Sequence, residues 1–261
     1  MKLYASSVLS VLLIVLQLID FEGSLTSKYA LPAQERLEEW HAVMAMEPVI
    51  TPSQAALQEI MERGPDWKRL EDRNTLIRFQ AENNITVDGI YGPETERTLT
   101  DTGKVITDRI PNDMRSEELF VAIDITRRIL TVYQYGEVVH KYPIAVGEGD
   151  LTPETQTQIA NKVVNPYWAG AGQHDPVPGG DPDNPLGPIW LGLELGGGST
   201  YGIHGNAAPF SIGRSVSLGC IRMINEDVTF LYELIPVGTN VWIATTATLE
   251  SWGIVKQIHY E

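Results

Sequence analysis

A single cysteine, Cys220, and a histidine upstream of it, His204, are the residues best suited to covalent chemistry in this chain of 261 residues. A free cysteine has a pKa of about 8.5, so only a small part of it is the nucleophilic thiolate at neutral pH. A neighbouring imidazole can accept the thiol proton, stabilise the thiolate as an ion pair and return the proton to a leaving amine. The pair therefore predicts nucleophilic catalysis, provided that the fold brings the two side chains together.

The residues around Cys220 favour a catalytic role over the commoner role of a lone cysteine, which is that of a small buried apolar side chain. Gly219 allows backbone amides to approach a substrate carbonyl and form an oxyanion hole. Arg222 supplies a positive charge that favours the thiolate or binds a carboxylate. We therefore predict that Cys220 is the nucleophile and that His204 is its general base and acid.

The segments that contain these residues resemble the catalytic domain of the L,D-transpeptidases of the YkuD type. The family signature combines His-Gly with a later Ser-x-Gly-Cys-[Ile/Val]-Arg-[Met/Leu], and it is matched here by His204-Gly205 and by Ser217 to Met223. The resemblance spans roughly residues 119–244. It includes Val121 to Ile125, Leu130 to Tyr133, Tyr142 to Gly147, Asn165 to Trp168 and Asp183 to Gly187.

The resemblance implies a peptidoglycan L,D-transpeptidase that acts on stem peptides. Cys220 would attack a carbonyl of a tetrapeptide donor stem, and an amine of a second stem, or water, would resolve the thioester. The carbonyl of Gly205 would orient His204, while backbone amides around Gly219 and Cys220 would hold the oxyanion. Arg222 would bind a stem carboxylate.

Ser217 within the motif, and Tyr201 and Asn206 beside it, are predicted to contact substrate together with Arg222. The chain departs from the family pattern at Leu218, where many members have histidine. It also departs at Thr155, which replaces the glycine of the usual Thr-Pro-Thr-Gly. A hydrolytic cysteine L,D-carboxypeptidase or endopeptidase, and a wall-binding protein without catalysis, are the alternative functions.

Composition limits the partners of the chain. A net charge of −15 argues against nucleic acid as a partner, because a polyanion would meet a repelling surface. His174 and Asp175, with Asp181 and Asp183, lack zinc-ligand spacing, and Gly196 to Ser199 is predicted to be a turn rather than a phosphate cradle. We therefore expect neither a metal nor a cofactor.

The amino terminus has the pattern of an export signal. Lys2 is followed by an apolar run from Val8 to Ile19, which is short for a membrane span of ~20 residues. Residues 1–27 are therefore predicted to be a signal peptide or an N-terminal anchor, with membrane contact only if the segment is not cleaved. Export to the periplasm or cell wall also favours a functional Cys220, since a lone thiol there is otherwise a liability.

A small helical domain is predicted ahead of the catalytic region. Residues 28–52 form a linker with a helix over 33–46, and residues 53–110 form the helical domain. Within it, Leu76 to Leu99 resembles the second half of the helical peptidoglycan-binding domain, including Val87-Asp88-Gly89. This resemblance implies contact with glycan strands, for which Arg78, Gln80, Asn83 and Asp88 offer hydrogen bonds.

The catalytic region, residues 118–246, is predicted to be mainly β. Val121, Ile123 and Ile125 alternate on one face of a strand, and strands over Leu130 to Tyr135 and Val138 to Val146 follow. The Gly-, Pro- and Asp-rich stretches after Gly147 are predicted to be loops. Asn225 is predicted to cap a helix over Glu226 to Ile235, followed by a strand from Asn240 to Thr245 and a tail at 247–261. The expected fold is a β-sandwich with one or two short helices, plus the N-terminal helical domain.

Overall fold

The computed structural model describes residues 52–170, 174–195 and 200–260, which belong to one compact unit. The predicted export segment and the predicted linker helix at 33–46 lie outside these residues. Helices α1 (Pro52–Arg63), α2 (Leu70–Glu82) and α3 (Pro93–Thr100) come first. Pro93 occupies the first turn of α3 as predicted, where a proline loses no helical hydrogen bond. None of the helices in the described ranges has the length and apolar character that a membrane crossing requires.

In the described ranges, eleven strands and two further α-helices follow. The strands are β1 (Lys104–Arg109), β2 (Leu119–Asp124), β3 (Ile129–Gln134), β4 (Glu137–Gly147), β5 (Thr155–Val164), β6 (Ile189–Leu193), β7 (Gly202–His204), β8 (Ser215–Ser217), β9 (Ile221–Met223), β10 (Asn240–Ala244) and β11 (Val255–Tyr260). The helices are α4 (Asn225–Leu234) and α5 (Thr246–Ser251). A mainly β fold with few helices is therefore confirmed.

The main sheet closes on itself. Its strand order is β3-β2-β10-β5-β6-β7-β9-β4-β8, and β3 also pairs with β4. The long strand β4 makes this closure, because its first part pairs with β3 while Ile144 and Ala145 pair with β9. The two layers of the predicted sandwich are thus one continuous sheet around a core that includes Val121, Leu191 and Ile221.

Strands β2, β3 and β4 and the predicted strand at Asn240 are confirmed, but the loops predicted after Gly147 are only partly correct. Residues 155–164 form the ten-residue strand β5, which pairs with both β10 and β6. The predicted cap of α4 is wrong, since Asn225 is the first helical residue and Ile224 occupies the cap position. The Asn225 side chain instead accepts the amide of Asn206 at 2.8 Å.

Helix α2 and the turn after it pack directly on the β region. Ile77, Ala81 and Val87 share a buried cluster with Ile129 of β3 and Ala145 of β4. In addition, Arg78 of α2 forms an ion pair with Asp227 of α4 at 2.7 Å. The helical segment, residues 52–100, is therefore held by an apolar core and by charge.

The tail predicted at 247–261 is not a tail. It forms α5 and β11, and β11 pairs antiparallel with β1 along its whole length. Tyr260 reaches back to α3, where its hydroxyl lies 2.6 Å from Thr98 and its ring lies under the guanidinium of Arg97. The predicted boundaries place β1 in the helical domain (53–110) and β11 in the tail. They therefore separate two strands that pair with each other.

Candidate active site

Three neighbouring strands place Cys220, His204 and Arg222 side by side. His204 ends β7 and is aligned with Trp190 on β6 and with Arg222 on β9. Cys220 immediately precedes β9. Since side chains alternate along a strand, and Ile203 and Ile221 point into the core, His204, Cys220 and Arg222 share the opposite face.

The imidazole of His204 is buried and held in one orientation. Its Nδ1 lies 2.6 Å from the carbonyl oxygen of Gly205, and its ring stacks on that of Trp190 with a centroid distance of 5.7 Å. A carbonyl oxygen only accepts, so Nδ1 carries the proton and Nε2 has the free lone pair. Burial lowers the pKa of His204 to about 4; the bond to Gly205 opposes this shift and Arg222 adds to it. At neutral pH the ring is therefore an uncharged base.

The thiol of Cys220 is half-buried and protonated at rest. Its Sγ lies 3.7 Å from the carbonyl oxygen of Thr200, which the S–H can reach as a weak donor. Burial raises the pKa of the Cys220 thiol, while the backbone of Gly202 and the charge of Arg222 oppose the shift. The resting pair is thus neutral, which differs from the thiolate and imidazolium ion pair considered from the sequence.

The loop before Cys220 is fixed by a chain of hydrogen bonds. Ser217 Oγ donates to the carbonyl of Cys220 at 2.6 Å and accepts the amide of Gly219 at 3.1 Å. Thr152 Oγ1 donates to the carbonyl of Gly219 at 3.0 Å and accepts the amide of Gly147 at 2.7 Å. The amide of Gly219 is therefore already engaged, so the prediction that it holds an oxyanion does not fit this arrangement.

Gly219 is required here for steric reasons. Its φ is +118°, and a Cβ at this position would lie 2.5 Å from the carbonyl oxygen of Leu151. Thr155, the departure from the family pattern, needs no such freedom, because it is the first residue of β5. The loop that Thr152 anchors closes without a glycine at that position.

A cleft of about 670 Å³ opens over these side chains. The described lining combines His204, Cys220 and Arg222 with aromatic and apolar residues. These include Trp168, Trp190, Val163, Leu186, Tyr167, which is 63% exposed, and Leu218, which is 77% exposed. Arg222 lines the cleft beside Cys220, and its Nε is buried with no hydrogen-bond partner among the described residues.

Two of the predicted substrate contacts do not reach the cleft. Asn206 is buried; its side-chain amide donates to the carbonyl of Met223 at 2.6 Å, and its backbone amide donates to Asn225. Tyr201 packs against the core of the closed sheet, with its ring beside Gly219. Ser217 does line the cleft, but its hydroxyl serves the loop rather than an open position.

Sequence reasoning did not single out Trp190, Asn161 or Thr152 as site residues. Trp190 and Asn161 line the cleft from β6 and β5, and Thr152 holds the loop. The alternation of Ile189-Trp190-Leu191 would have placed Trp190 on the outer face, had that strand been predicted. Within the described ranges no cluster of His, Cys, Asp and Glu residues is arranged to hold a metal ion.

The four residues considered for glycan contact are used inside the protein. Arg78 pairs with Asp227, and Asn83 donates to the carbonyl of Phe79. Gln80 accepts the amides of Asp88 and Gly89 and donates to Asp88 Oδ1 at 2.8 Å. These contacts stabilise the turn after α2 and attach the helical segment to the β region.

Comparison with known proteins agrees with this architecture. Residues 118–243 match the family model of the L,D-transpeptidase catalytic domain, YkuD. Two proteins of Bacillus subtilis (strain 168) named as L,D-transpeptidases are similar in sequence. YqjB is 41% identical over 127 residues, covering 48% of this chain and 70% of YqjB. YkuD is 36% identical over 178 residues, covering 67% of this chain and 96% of YkuD.

A solved structure has the same fold. The crystal structure of an L,D-transpeptidase from Xylanimonas cellulosilytica DSM 15894 aligns with a TM-score of 0.50 at 19% identity, over 74% of this chain and 92% of that one. The family model, the extent of the match to YkuD and the shared fold lead to one conclusion. This chain belongs to the L,D-transpeptidase family of enzymes.

Proposed function

We propose that this enzyme transfers a peptidoglycan stem peptide through a thioester on Cys220 to an amine acceptor, and so cross-links or remodels the bacterial cell wall. One observation carries the proposal. A thiol, a neutral imidazole oriented by a backbone carbonyl and a guanidinium share one sheet face below one cleft. This is the set of groups that acyl transfer requires.

The first step combines attack with proton transfer. Sγ of Cys220 forms a bond to the carbonyl carbon of the donor stem, and Nε2 of His204 takes the thiol proton. His204 then gives that proton to the departing amine as the C–N bond breaks, which leaves a thioester. In the second step an acceptor amine attacks the thioester, transfers its proton through His204 to Sγ and releases the joined product.

The oxyanion of each tetrahedral intermediate needs a donor close to Cys220. Because Gly219 donates its amide to Ser217, we assign this role to the amide of Cys220 itself. The hydrogen bond from Ser217 Oγ to the Cys220 carbonyl fixes the peptide group that follows Cys220. Ser217 is accordingly a positioning residue in this mechanism.

The lining of the cleft suggests how a stem peptide is held. Arg222 is the cationic side chain beside Cys220, and it suits a stem carboxylate. Trp168, Tyr167 and Val163 offer apolar surface to the aliphatic parts of the peptide. The carbonyl of Gly205 keeps His204 in the required tautomer.

The place of action that fits this substrate is the cell envelope. We propose that residues 1–27 direct export to the periplasm or cell wall, where the peptidoglycan substrate lies. Hydrolysis of the same thioester is the competing outcome, and it differs only in the acceptor.

Product analysis tests the proposal. The purified chain is incubated with a disaccharide-tetrapeptide, and the products are separated and weighed by mass spectrometry. Dimers of muropeptides support transpeptidation, whereas shortened monomers alone indicate a hydrolase. The Cys220→Ala variant, which lacks only the thiol, should give neither product.

A further inference from the structure

Arg73 of α2 is a buried guanidinium that lies outside the cleft. Arg73 is only 5% exposed, and its Nη2 donates to the carbonyl oxygen of Ile212 at 2.6 Å. No ion pair joins it to a carboxylate of the described residues, and Nη1 has no partner among them. The buried charge therefore depends on one backbone carbonyl for its hydrogen bond.

The guanidinium fits between two turns. On one side, a Cβ placed on Gly89 would lie 3.0 Å from Nη2, so the guanidinium packs closely against this turn. On the other side, it lies 5.9 Å from the ring centre of Phe210, in the short helical turn Pro209–Ser211 that precedes Ile212. Arg73 thus connects the helical segment to the chain that leads to Cys220.

The path from Ile212 to Cys220 is hydrogen-bonded to β4 and to the residue after it. Gly213 donates to the carbonyl of Ile144 at 2.9 Å, and Val146 donates to that of Arg214 at 3.1 Å. Glu148 then donates to the carbonyl of Ser217 at 3.0 Å, and Ser217 Oγ bonds to Cys220. A shift at Ile212 would therefore be transmitted to β8 and to the residue that carries the thiol.

We propose that Arg73 is a positioning residue for the acyl transfer, acting through Ile212 and β8 to hold Cys220 against the cleft. This inference rests on the proposed function of Cys220. It gives the helical segment a part in catalysis that does not depend on binding wall material. Since small displacements of a reacting atom reduce rates steeply, the effect belongs to the rate of acylation rather than to substrate affinity.

The test compares Arg73→Met and Arg73→Lys with a matched control, Arg63→Met. Arg63 also contributes a guanidinium to the helical segment, where it pairs with the buried Asp72, but it does not touch the 212–220 chain. Acylation of Cys220 by a tetrapeptide stem is followed by intact mass, to obtain the maximal rate and the half-saturating concentration. Amide hydrogen exchange over residues 213–219 is measured on the same samples, below the melting temperature of every variant.

We expect Arg73→Met to lower the maximal acylation rate about tenfold while the half-saturating concentration changes by less than about twofold. In the same variant, amide hydrogen exchange over residues 213–219 should become faster. Arg73→Lys should restore most of the rate, because an ammonium group can still donate to Ile212. Arg63→Met should lower the melting temperature and leave both readouts unchanged.

Wild-type rate and wild-type exchange in folded Arg73→Met would overturn the inference. If the wild-type chain itself forms no adduct, the proposed function fails separately, and exchange alone then decides the role of Arg73. Faster exchange at 213–219 in Arg73→Met, but not in Arg63→Met, would still support the link to Cys220. Unchanged exchange would contradict it.

Discussion

At the scale of single residues, burial sets the protonation of the two central groups. It lowers the pKa of His204 to about 4 and raises that of Cys220, so both are uncharged near pH 7. Each shift opposes the ion pair that would activate the thiol in advance. Activation must therefore coincide with attack, when His204 takes the proton.

This neutral resting state predicts the pH dependence of thiol reactivity. The rate of alkylation of Cys220 by iodoacetamide should rise with pH in a single step whose midpoint lies above the usual cysteine value of ~8.5. Because Cys220 is the only cysteine, intact mass reports its modification directly. A reactive plateau between about pH 5 and 7 would reveal an ion pair and contradict the neutral state.

The buried imidazole also predicts acid sensitivity. The pKa of His204 is about 4 in the folded chain and ~6.5 when unfolded, so the unfolded chain binds the proton first as pH falls. The neutral His204 therefore does not reduce the free energy of unfolding above about pH 6.5. As the pH falls to 4, the free energy of unfolding decreases by about 3 kcal/mol because of this group. Urea unfolding at pH 7 and pH 4 should show this loss in the wild type relative to His204→Gln. An equal loss in both proteins would contradict the assignment.

Gly219→Ala tests the geometry of the loop before Cys220. The substitution meets both a φ of +118° and a 2.5 Å approach to the Leu151 carbonyl. We expect a loss of about 2 kcal/mol in unfolding free energy and slower acylation of Cys220. Gly238→Ala is the matched control, since Gly238 also has a positive φ but lies in open space. A milder effect at Gly219 than at Gly238 would contradict the steric argument.

Residue types and spacing were sufficient to single out Cys220 and His204, which the structure brings together at one cleft, because few side chains perform this chemistry. They were insufficient for Tyr201 and Asn206, which lie near the motif but face the core and the backbone. A polar residue beside a motif has the same appearance in sequence whether it binds substrate or supports a loop. The two roles are distinguished only by the partner that the side chain contacts in the structure, which for Asn206 is the carbonyl of Met223.

At the scale of elements, the C-terminal strand is a structural part of the enzyme. Lys256 of β11 is buried and donates to Thr131 Oγ1 of β3 at 2.8 Å, and Arg127 donates to the Lys256 carbonyl at 2.6 Å. Tyr260 adds the contacts to α3. Strand β11 therefore joins the closed sheet to the helical segment.

Removal of residues 255–261 should lower the melting temperature by about 5 °C or more, because it leaves β1 unpaired and exposes the surroundings of Lys256. Differential scanning calorimetry measures the change. Tyr260→Phe, which removes only the hydroxyl bonded to Thr98, should cost about 1 kcal/mol or less. A truncated chain as stable as the wild type would mean that β11 is dispensable.

Strands with regular alternation were predictable from sequence, and those formed by distant pairing were not. β2, β3 and β4 follow one another through tight turns, so local pattern is enough to find them. β5 starts after a Pro- and Asp-containing loop and its exposed residues include Val163 and Val164, which obscures its alternation. β1 and β11 are far apart in sequence, so their pairing depends on tertiary contacts that neither segment encodes alone.

At the scale of the whole molecule, the described residues between 52 and 260 belong to one compact unit. The helical segment shares the cluster of Ile77, Val87 and Ile129 with the β region, and the Arg78 and Asp227 pair adds a second attachment. The sequence predicted both regions correctly in type. It could not reveal that they share a core, since Ile77 is equally suited to a core within the helices.

A shared core predicts cooperative unfolding. Calorimetry should show one transition for the helical segment and the β region, with equal calorimetric and van't Hoff enthalpies. Asp227→Asn should shift this transition downwards without splitting it, because the apolar cluster remains. Two separate transitions in the wild type would show that the helical segment folds independently.

The most direct test of the central claim is the mass of the enzyme during turnover. After incubation with a disaccharide-tetrapeptide, the wild-type chain should gain the mass of the donor acyl group at Cys220, located by peptide mapping. Cys220→Ala should gain nothing, and His204→Gln should acquire the adduct far more slowly, because the thiol then lacks its base. A folded wild-type chain with an accessible thiol that forms products without any adduct on Cys220 would contradict the thioester mechanism.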